Sequence, residues 1–329
     1  SLSKFKDIHK NKSFNKFLFN DDLLSNQNEL AKVNIFFARS NINHLEKKYN
    51  ESRKNLILAN TIKSRIYKSD AEKRIRFTNH IYHQYSKIDL NTESLLQRKN
   101  YFFIVGMPRS GSTLVESIIS CNENVFDLGE TEALPFSYRK WFQNQRKESL
   151  LEIYNKEINV NLIDNQNITD KNLSNYSLVP VILEQIKGSK VIHCYRSPLD
   201  NVLSIYKANF SNGYSYSSSL IEISKVLMNV QEIMHKYKKL FPKYIYSVNY
   251  DSLVGNPESE IQKLIKWLNF KWEKKYLCPH LNKRSVKTTS KIQVRYPINK
   301  QSLSGWKNYK DLLNPVNDFF EKHNFDFKN

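Results

Sequence analysis

The sequence predicts an α/β fold, a three-layer sandwich with a central parallel sheet, preceded by an all-helical N-terminal segment. Two observations support this prediction. Residues 1–97 contain no Gly or Pro and space their apolar residues as helices do, whereas strand and helix patterns alternate from residue 101 onward. We therefore expect a helical extension over residues 1–97 and an α/β domain over residues 98–329.

The helical extension shows the spacing of a packed helix pair. Ser52, Leu56 and Ala59 follow one another at intervals of three or four residues and so share one helical face. The segment around them resembles the second helix of a tetratricopeptide repeat, and residues 33–45 are expected to form the helix before it. A plain helical extension explains the same pattern, so both interpretations stay open at this point.

Residues 101–113 carry the strongest motif of the chain. Tyr101 to Val105 are an apolar run typical of a buried strand, a loop extends from Gly106 to Gly111, and a helical pattern begins at Ser112. Backbone N–H groups and the positive end of a helix dipole meet at such a junction, which therefore favours an anion. The sequence predicts a phosphate-type ligand at this loop.

The loop nearly matches the nucleotide-triphosphate pattern G-x-x-x-x-G-K-[ST]. Gly106, Gly111 and Thr113 occupy matching positions, but Ser112 stands where the pattern has lysine. That lysine normally reaches the β- and γ-phosphates beside magnesium, so its absence argues against a kinase. Arg109 is the strong cation of the loop, and its planar guanidinium suits phosphate or sulfate oxygens. The prediction is a P-loop-like cradle for a terminal phosphate or phosphosulfate.

Two further segments predict strands that end near this loop. Residues 189–196 and 243–250 are short apolar runs, each followed by a helical pattern. The C-terminal ends of parallel strands lie at one edge of the sheet, and ligands bind at that edge in this architecture. We therefore expect Arg109, Arg196 and Tyr250 to lie there.

Arg196 and Ser204 are a candidate second anion site. Arg196 ends its predicted strand, and Ser204 lies about two turns into the helix that follows. A cation and a hydroxyl in this arrangement can hold a second phosphate. A surface arginine and an incidental serine explain the pair taken alone, but the anion loop upstream favours the clamp.

Together these motifs resemble the sulfotransferase family. The stretches FIVGMPRSGSTLVESIIS, GETEAL, VIHCYRSPLDNVLSIY, VNYDSLVGNPE and KTTSKIQVRYPI follow in the family's order, over roughly residues 98–315. The chain is most similar to bacterial sulfotransferases that carry tetratricopeptide repeats and are related to tyrosylprotein sulfotransferases. The resemblance implies the donor 3′-phosphoadenosine-5′-phosphosulfate (PAPS), the product adenosine 3′,5′-bisphosphate, and transfer of a sulfuryl group to a hydroxyl or amine acceptor.

The resemblance also implies which residues bind the donor. It assigns the phosphosulfate to the loop, the 3′-phosphate to the second anion site, and further nucleotide contacts to two later positions. The loop residues are Arg109, Ser110, Gly111, Ser112 and Thr113. The second anion site consists of Arg196 and Ser204, and the two later positions are Tyr250 and Ser290.

The catalytic residues implied by the resemblance are Glu130, Lys171 and Arg109. Glu130 matches the base of the tyrosylprotein branch, which takes the acceptor's proton as the acceptor attacks sulfur. Lys171 matches the family lysine that neutralises the bridging oxygen, and Arg109 offsets charge on the transferred group. Glu132 and His193 are the alternative bases, although His193 lies mid-strand, where a packed side chain is expected.

Composition narrows the remaining possibilities. The chain carries 51 Lys and Arg against 32 Asp and Glu, a net charge of +19, but the basic residues are spread along it and form no nucleic-acid motif. No apolar stretch approaches the roughly 18–20 residues of a membrane span, and the first residues carry no signal-peptide core. His80 and His83 lack further ligands at metal spacing. We expect a cytoplasmic protein that binds neither nucleic acid nor membrane and needs no metal.

Two alternatives to sulfuryl transfer remain open at this point. One is a P-loop nucleotide kinase or NTPase, and the other is a non-catalytic nucleotide- or protein-binding module with a helical docking surface. In either case the N-terminal helices offer a surface for contacts with other proteins. The acceptor type, whether peptide, sugar or small molecule, has no portable sequence pattern.

Overall fold

The structure is a computed structural model, and it forms two compact units. We call them the helical unit, residues 1–75, 197–228 and 302–329, and the sheet unit, residues 76–196 and 229–301. The structure describes residues 10–85, 87–88, 99–162, 167–210, 213–282 and 295–325. The predicted nucleotide contact Ser290 lies outside the described residues.

The elements alternate between helix and strand from β1 onward, as the sequence predicts. The strands are β1 (Asn100–Gly106), β2 (Val125–Asp127), β3 (Asn167–Asp170), β4 (Ser189–Tyr195) and β5 (Ile245–Asn249). The helices are α1 (Lys12–Leu18), α2 (Asp22–Ser25), α3 (Glu29–Leu45), α4 (Tyr49–Ile66), α5 (Ala71–Tyr85), α6 (Ser112–Ile119), α7 (Ala133–Gln143), α8 (Leu150–Glu157), α9 (Val179–Gln185), α10 (Pro198–Tyr206), α11 (Leu220–Leu240), α12 (Tyr250–Gly255), α13 (Pro257–Trp267) and α14 (Lys310–Lys322).

A parallel sheet organises the sheet unit. In the described part of the chain it has five strands in the order β2-β3-β1-β4-β5. The central strand β1 pairs with β3 and β4 so that Tyr101 lies opposite Ile168 and Ser189. Such a strand is buried on both faces, which explains why its sequence is a continuous apolar run. The predicted α/β class and central parallel sheet are confirmed.

Alternate residues of β1 pack on opposite faces of the sheet. Phe102 and Ile104 share a buried cluster with Ile118 of α6 and Leu264 of α13. On the other face, the ring of Phe103 lies 5.9 Å from that of Tyr154 on α8. Because side chains of a strand alternate in direction, β1 is covered by helices on both sides.

In the helical unit, α3 and α4 form an antiparallel pair. The predicted face of α4 is confirmed, since Ser52, Leu56 and Ala59 are all buried. On α3, Val33 and Ile42 are fully buried. The interpretation of this pair as a tetratricopeptide repeat stays a prediction, as does the domain boundary between residues 97 and 98.

The helix that carries Ser204, α10, is held at its C-terminal end by α4. The amide of Asn60 donates to the Tyr206 carbonyl at 3.1 Å, and the Lys63 ammonium donates to the Phe210 carbonyl at 2.8 Å. Cations and donors at a helix C-terminus satisfy its last carbonyl groups. Burial lowers the pKa of Lys63 to about 8, so the residue is still mostly charged near neutrality.

Asp200 of α10 ties the helix to a later segment of the same unit. Its carboxylate is buried and accepts the backbone N–H groups of Ser304 at 2.8 Å and Trp306 at 2.9 Å. Hydrogen bonds to a charged acceptor are stronger than neutral ones. The side chain therefore fixes the segment that precedes α14 against α10.

We predict that Asp200→Ala lowers the free energy of unfolding by about 2–4 kcal/mol, because two N–H groups lose a charged acceptor. Urea denaturation measures this loss. Asp318→Ala is the control, since Asp318 is exposed on α14, and its free energy should change by no more than about 0.5 kcal/mol. Equal stability of the two variants would contradict the prediction.

Candidate active site

The loop between β1 and α6 is packed tightly on its neighbours through two glycines. Gly106 has φ +135°, and a Cβ there would lie 2.3 Å from the Cys194 carbonyl oxygen on β4. Gly111 has φ +89°, and a Cβ there would lie 2.3 Å from Cδ2 of Tyr250. Only glycine fits both conformations without strain or a clash. The predicted strand–loop–helix junction is therefore formed by close backbone contact.

The loop just before α6 carries a buried hydroxyl that suits an anion. Ser110 is 1% exposed, and within the described residues its Oγ atom has no hydrogen-bond partner. Ser112 and Thr113 follow in the first turn of α6, where backbone N–H groups point out of the helix end. The Ser110 hydroxyl is therefore available to donate to a bound group or to water. An oxyanion placed here would accept hydrogen bonds from these groups.

Arg109 and Arg196 bring two cations to this loop. Arg196 donates to the Arg109 carbonyl at 3.4 Å, and its guanidinium carbon lies 4.9 Å from the centre of the Tyr250 ring. Burial and the neighbouring charge of Arg196 lower the pKa of Arg109 to about 10, so the Arg109 guanidinium is charged at neutral pH. An anion between like charges would offset their repulsion. The structure thus brings together the three residues that the sequence predicts at this sheet edge.

Lys171 lies at the end of β3 between two carboxylates. Its ammonium is 2.9 Å from Oε1 of Glu130 and 3.6 Å from Oε2 of Glu116. The Lys171 side chain is fully buried, whereas that of Glu130 is 49% exposed. Glu130 can therefore meet both the buried cation and a molecule arriving from solvent.

Glu116 is not among the site residues that the sequence predicts. The residue lies on α6 with a side chain that is only 2% exposed. A single charged residue among the apolar residues of a short helix was the one available signal, and it is equally typical of a solvent-facing position. Its burial depends on the position of Lys171, which is distant in sequence.

The two alternative bases differ from Glu130 in their surroundings. Glu132 accepts a hydrogen bond from the side-chain amide of Asn172 at 3.1 Å. His193 is buried in β4, and burial together with the charge of Lys238 lowers its pKa to about 3. The imidazole is therefore enclosed and resists protonation, which does not favour a role as the base.

Asp170 is a second buried carboxyl next to Lys171 in sequence. Tyr154 donates to its Oδ2 at 2.9 Å, and the backbone N–H of Asn172 donates to its Oδ1 at 3.1 Å. Burial raises the pKa of Asp170 from 3.8 to about 7, because the hydrogen bonds do not fully replace water around the charge. The group therefore titrates near neutral pH.

Ser204 lies on α10 in the helical unit, and its predicted contact with the 3′-phosphate stays a prediction. In the residues that the structure describes, no group of three or more His, Cys, Asp or Glu side chains could hold a metal ion. Over the same residues, no helix has both the length and the apolar character of a membrane span.

A family model described as the sulfotransferase family matches residues 102–274, more than half of the chain. The chain therefore belongs to the sulfotransferase family, and the resemblance predicted from its motifs is confirmed. Its closeness to the bacterial branch with tetratricopeptide repeats stays a prediction.

The chain is also similar to two relatives and to one solved structure. An uncharacterised protein of Aquifex aeolicus (strain VF5) is 30% identical over 247 residues, which are 68% of this chain but 32% of that protein. The chain thus spans about a third of that relative's length. A putative protein-tyrosine sulfotransferase of Caenorhabditis briggsae is 23% identical over 227 residues, 62% of this chain and 79% of the relative.

Among solved structures, the sulfotransferase domain of the Synechococcus PCC 7002 olefin synthase is similar to this chain with a TM-score of 0.50. It is 16% identical and covers 66% of this chain and 90% of its own. The likeness shows a shared fold.

We predict that Gly111→Ala destabilises the protein by about 1–3 kcal/mol, because the new Cβ meets the Tyr250 ring in a strained conformation. Gly255→Ala is the matched control, since a Cβ there meets nothing within 4 Å. Urea unfolding of the two variants tests this. A Gly111→Ala protein as stable as its control would show that the loop can move away from the Tyr250 ring without lowering the free energy of unfolding.

A pH-dependent prediction follows from Asp170. Its raised pKa means that the folded protein keeps a proton that the unfolded chain releases between about pH 4 and 7. The contribution of this group to stability therefore falls as the pH rises through that window. Asparagine cannot ionise, so Asp170→Asn should gain about 2 kcal/mol relative to wild type between about pH 5 and pH 8.

Urea unfolding at both pH values measures this change, with Asp318→Asn as the exposed control. A difference between wild type and Asp170→Asn that is the same at both pH values would show that Asp170 is ionised throughout.

Proposed function

We propose that this chain transfers a sulfuryl group from PAPS to a hydroxyl or amine acceptor and releases adenosine 3′,5′-bisphosphate. The observation that carries the proposal is the cradle at the start of α6. There the buried Ser110 hydroxyl has no hydrogen-bond partner among the described residues, and the Arg196 guanidinium donates to the backbone carbonyl of the neighbouring Arg109 at 3.4 Å. Donors and cations converging on one point suit a phosphosulfate.

The residues of the sheet unit fit the 5′ end of the donor. Arg109, Ser110 and the first turn of α6 would hold the phosphosulfate, with Gly111 allowing close approach of the backbone. Tyr250 would contact the nucleotide, and Arg196, whose guanidinium stacks on the Tyr250 ring, would hold the 3′-phosphate. The role of Ser204 at the 3′-phosphate is proposed from the sequence motif alone.

The chemistry needs a base, a leaving-group cation and fixed geometry. The donor supplies the sulfuryl group and the phosphate oxygen from which it departs. Glu130 is half-exposed and takes the acceptor's proton while the acceptor atom forms its bond to sulfur. The Lys171 ammonium stabilises negative charge on the departing oxygen, and Arg109 stabilises the transferred group. No covalent intermediate with the protein is required.

The contact between Lys171 and Glu130 supports these roles. The Lys171 ammonium donates to Oε1 of Glu130 at 2.9 Å, and a carboxylate is the form of a carboxyl group that accepts a proton. The same contact aligns the two groups on one reaction centre. Catalysis then rests on positioning and electrostatics.

Two further proposals concern the acceptor and the cellular location. A tyrosyl hydroxyl is the first acceptor to test, because the Caenorhabditis briggsae relative is named a putative protein-tyrosine sulfotransferase. We also propose that the protein acts in the cytoplasm and that its N-terminal helices contact other proteins. Sugars and small metabolites remain alternatives for the acceptor.

We predict that Arg109→Ala and Glu130→Gln each lower turnover by at least about a hundredfold. Transfer from ³⁵S-labelled PAPS to peptides and to a cell extract, followed by mass analysis of the labelled products, measures turnover. Calorimetry with adenosine 3′,5′-bisphosphate should give a wild-type affinity within about threefold in Glu130→Gln and a weaker affinity in Arg109→Ala. Glu152→Gln, an exposed change on α8, is the control for both assays.

Three outcomes would contradict the proposal. Near-normal turnover of Glu130→Gln would remove this residue as the base. Failure of the wild-type protein to bind adenosine 3′,5′-bisphosphate would leave a module with no donor site. Magnesium-dependent turnover of ATP would instead favour a kinase or NTPase.

A further inference from the structure

The charged side chains of Lys171, Glu130 and Glu116 lie together, and Glu116 has no role in the proposed reaction. Lys171 lies between Glu130 and Glu116, at 2.9 Å and 3.6 Å. The Lys171 and Glu116 side chains are 0% and 2% exposed, whereas Glu130 is 49% exposed. The Glu130 carboxylate therefore faces solvent, and the Glu116 carboxylate is enclosed with the Lys171 ammonium.

A fully buried ammonium is stable only beside an anion. Without one, burial favours the neutral amine, because the low-dielectric interior replaces water around the charge. While Glu130 is ionised, its carboxylate is an anion that stabilises the Lys171 ammonium. Once Glu130 has taken up the acceptor's proton it is neutral, and its attraction for Lys171 is largely lost.

Glu130 would lose its negative charge in the same step in which the Lys171 ammonium must stabilise the departing oxygen. Glu116 is enclosed and out of reach of an acceptor, so its carboxylate is not consumed by the reaction. It lies on α6, the helix whose first turn forms the cradle. The pair of Glu116 and Lys171 therefore ties the cation to the same rigid helix that would hold the donor.

We propose that Glu116 is a positioning residue that serves as the permanent counterion of Lys171. It keeps the lysine charged and in place when Glu130 becomes protonated. The catalytic consequence rests on the proposed function, but the charge state of Lys171 can be measured without any turnover.

The first test reads the charge of Lys171 directly. Glu130→Gln mimics the protonated Glu130, since the amide has the same shape and no charge. NMR of the lysine ¹³Cε and ¹⁵Nζ nuclei at about pH 7.5 distinguishes an ammonium from an amine. The Lys171 signal is identified by its loss in Lys171→Met.

We predict that Lys171 remains an ammonium in wild type and in Glu130→Gln, and becomes a neutral amine in Glu116→Gln/Glu130→Gln. Glu152→Gln/Glu130→Gln is the matched control and should keep the ammonium. A charged Lys171 in the Glu116→Gln/Glu130→Gln variant, or a neutral one in Glu130→Gln, would overturn the inference. If the amide spectrum of Glu116→Gln/Glu130→Gln is not that of a folded protein, the single variant Glu116→Gln in the turnover test below decides the question.

The second test measures turnover. Glu116→Gln should lower kcat by about 10–100-fold through misplacement of Lys171, with an unchanged affinity for adenosine 3′,5′-bisphosphate and partial recovery in Glu116→Asp. In a Lys171→Met background the same substitution should cause no further loss. An unchanged kcat, or an equal loss in both backgrounds, would contradict the inference. If wild type transfers no sulfuryl group, the proposed function fails, and the NMR result still decides the role of Glu116.

Discussion

The close approach of the loop to β4 and α12 is the contact on which the candidate site depends. Gly106 brings the backbone to the Cys194 carbonyl, and Gly111 lies against the Tyr250 ring, both at distances that exclude a Cβ. Each glycine has a positive φ that other residues adopt only with strain. Because the loop is held at these two points, Arg109 and the first turn of α6 are presented together at the end of the sheet.

Charge at this edge of the sheet is divided between two environments. Arg109 and Arg196 lie side by side near the loop, where their repulsion favours an anionic ligand. Lys171 is enclosed, and its charge is balanced by carboxylates of the protein itself. The first environment suits binding of a polyanion, and the second suits movement of a proton beside a cation that stays in place.

Much of the fold and part of the site could be predicted from sequence. The apolar run of β1, the glycine loop and the start of α6 are local patterns, and the shared edge of parallel strands indicated that Arg196 and Tyr250 lie near the loop. Glu116 could not be predicted, because its burial depends on Lys171, which is distant in sequence. Nor could the tie from Asp200 to the segment before α14 be predicted, since it joins elements far apart in the chain.

The sequence by itself determined the order of the elements and the preference of the loop for an anion. These follow from side-chain periodicity, the backbone freedom of glycine and the helix dipole, all of which act over a few residues. Only the tertiary structure decided that Lys171 lies between two carboxylates, that Glu132 is bound to Asn172, and that His193 is enclosed and neutral. Those outcomes depend on burial and on partners from distant segments, and no local pattern encodes how far a charge is removed from water.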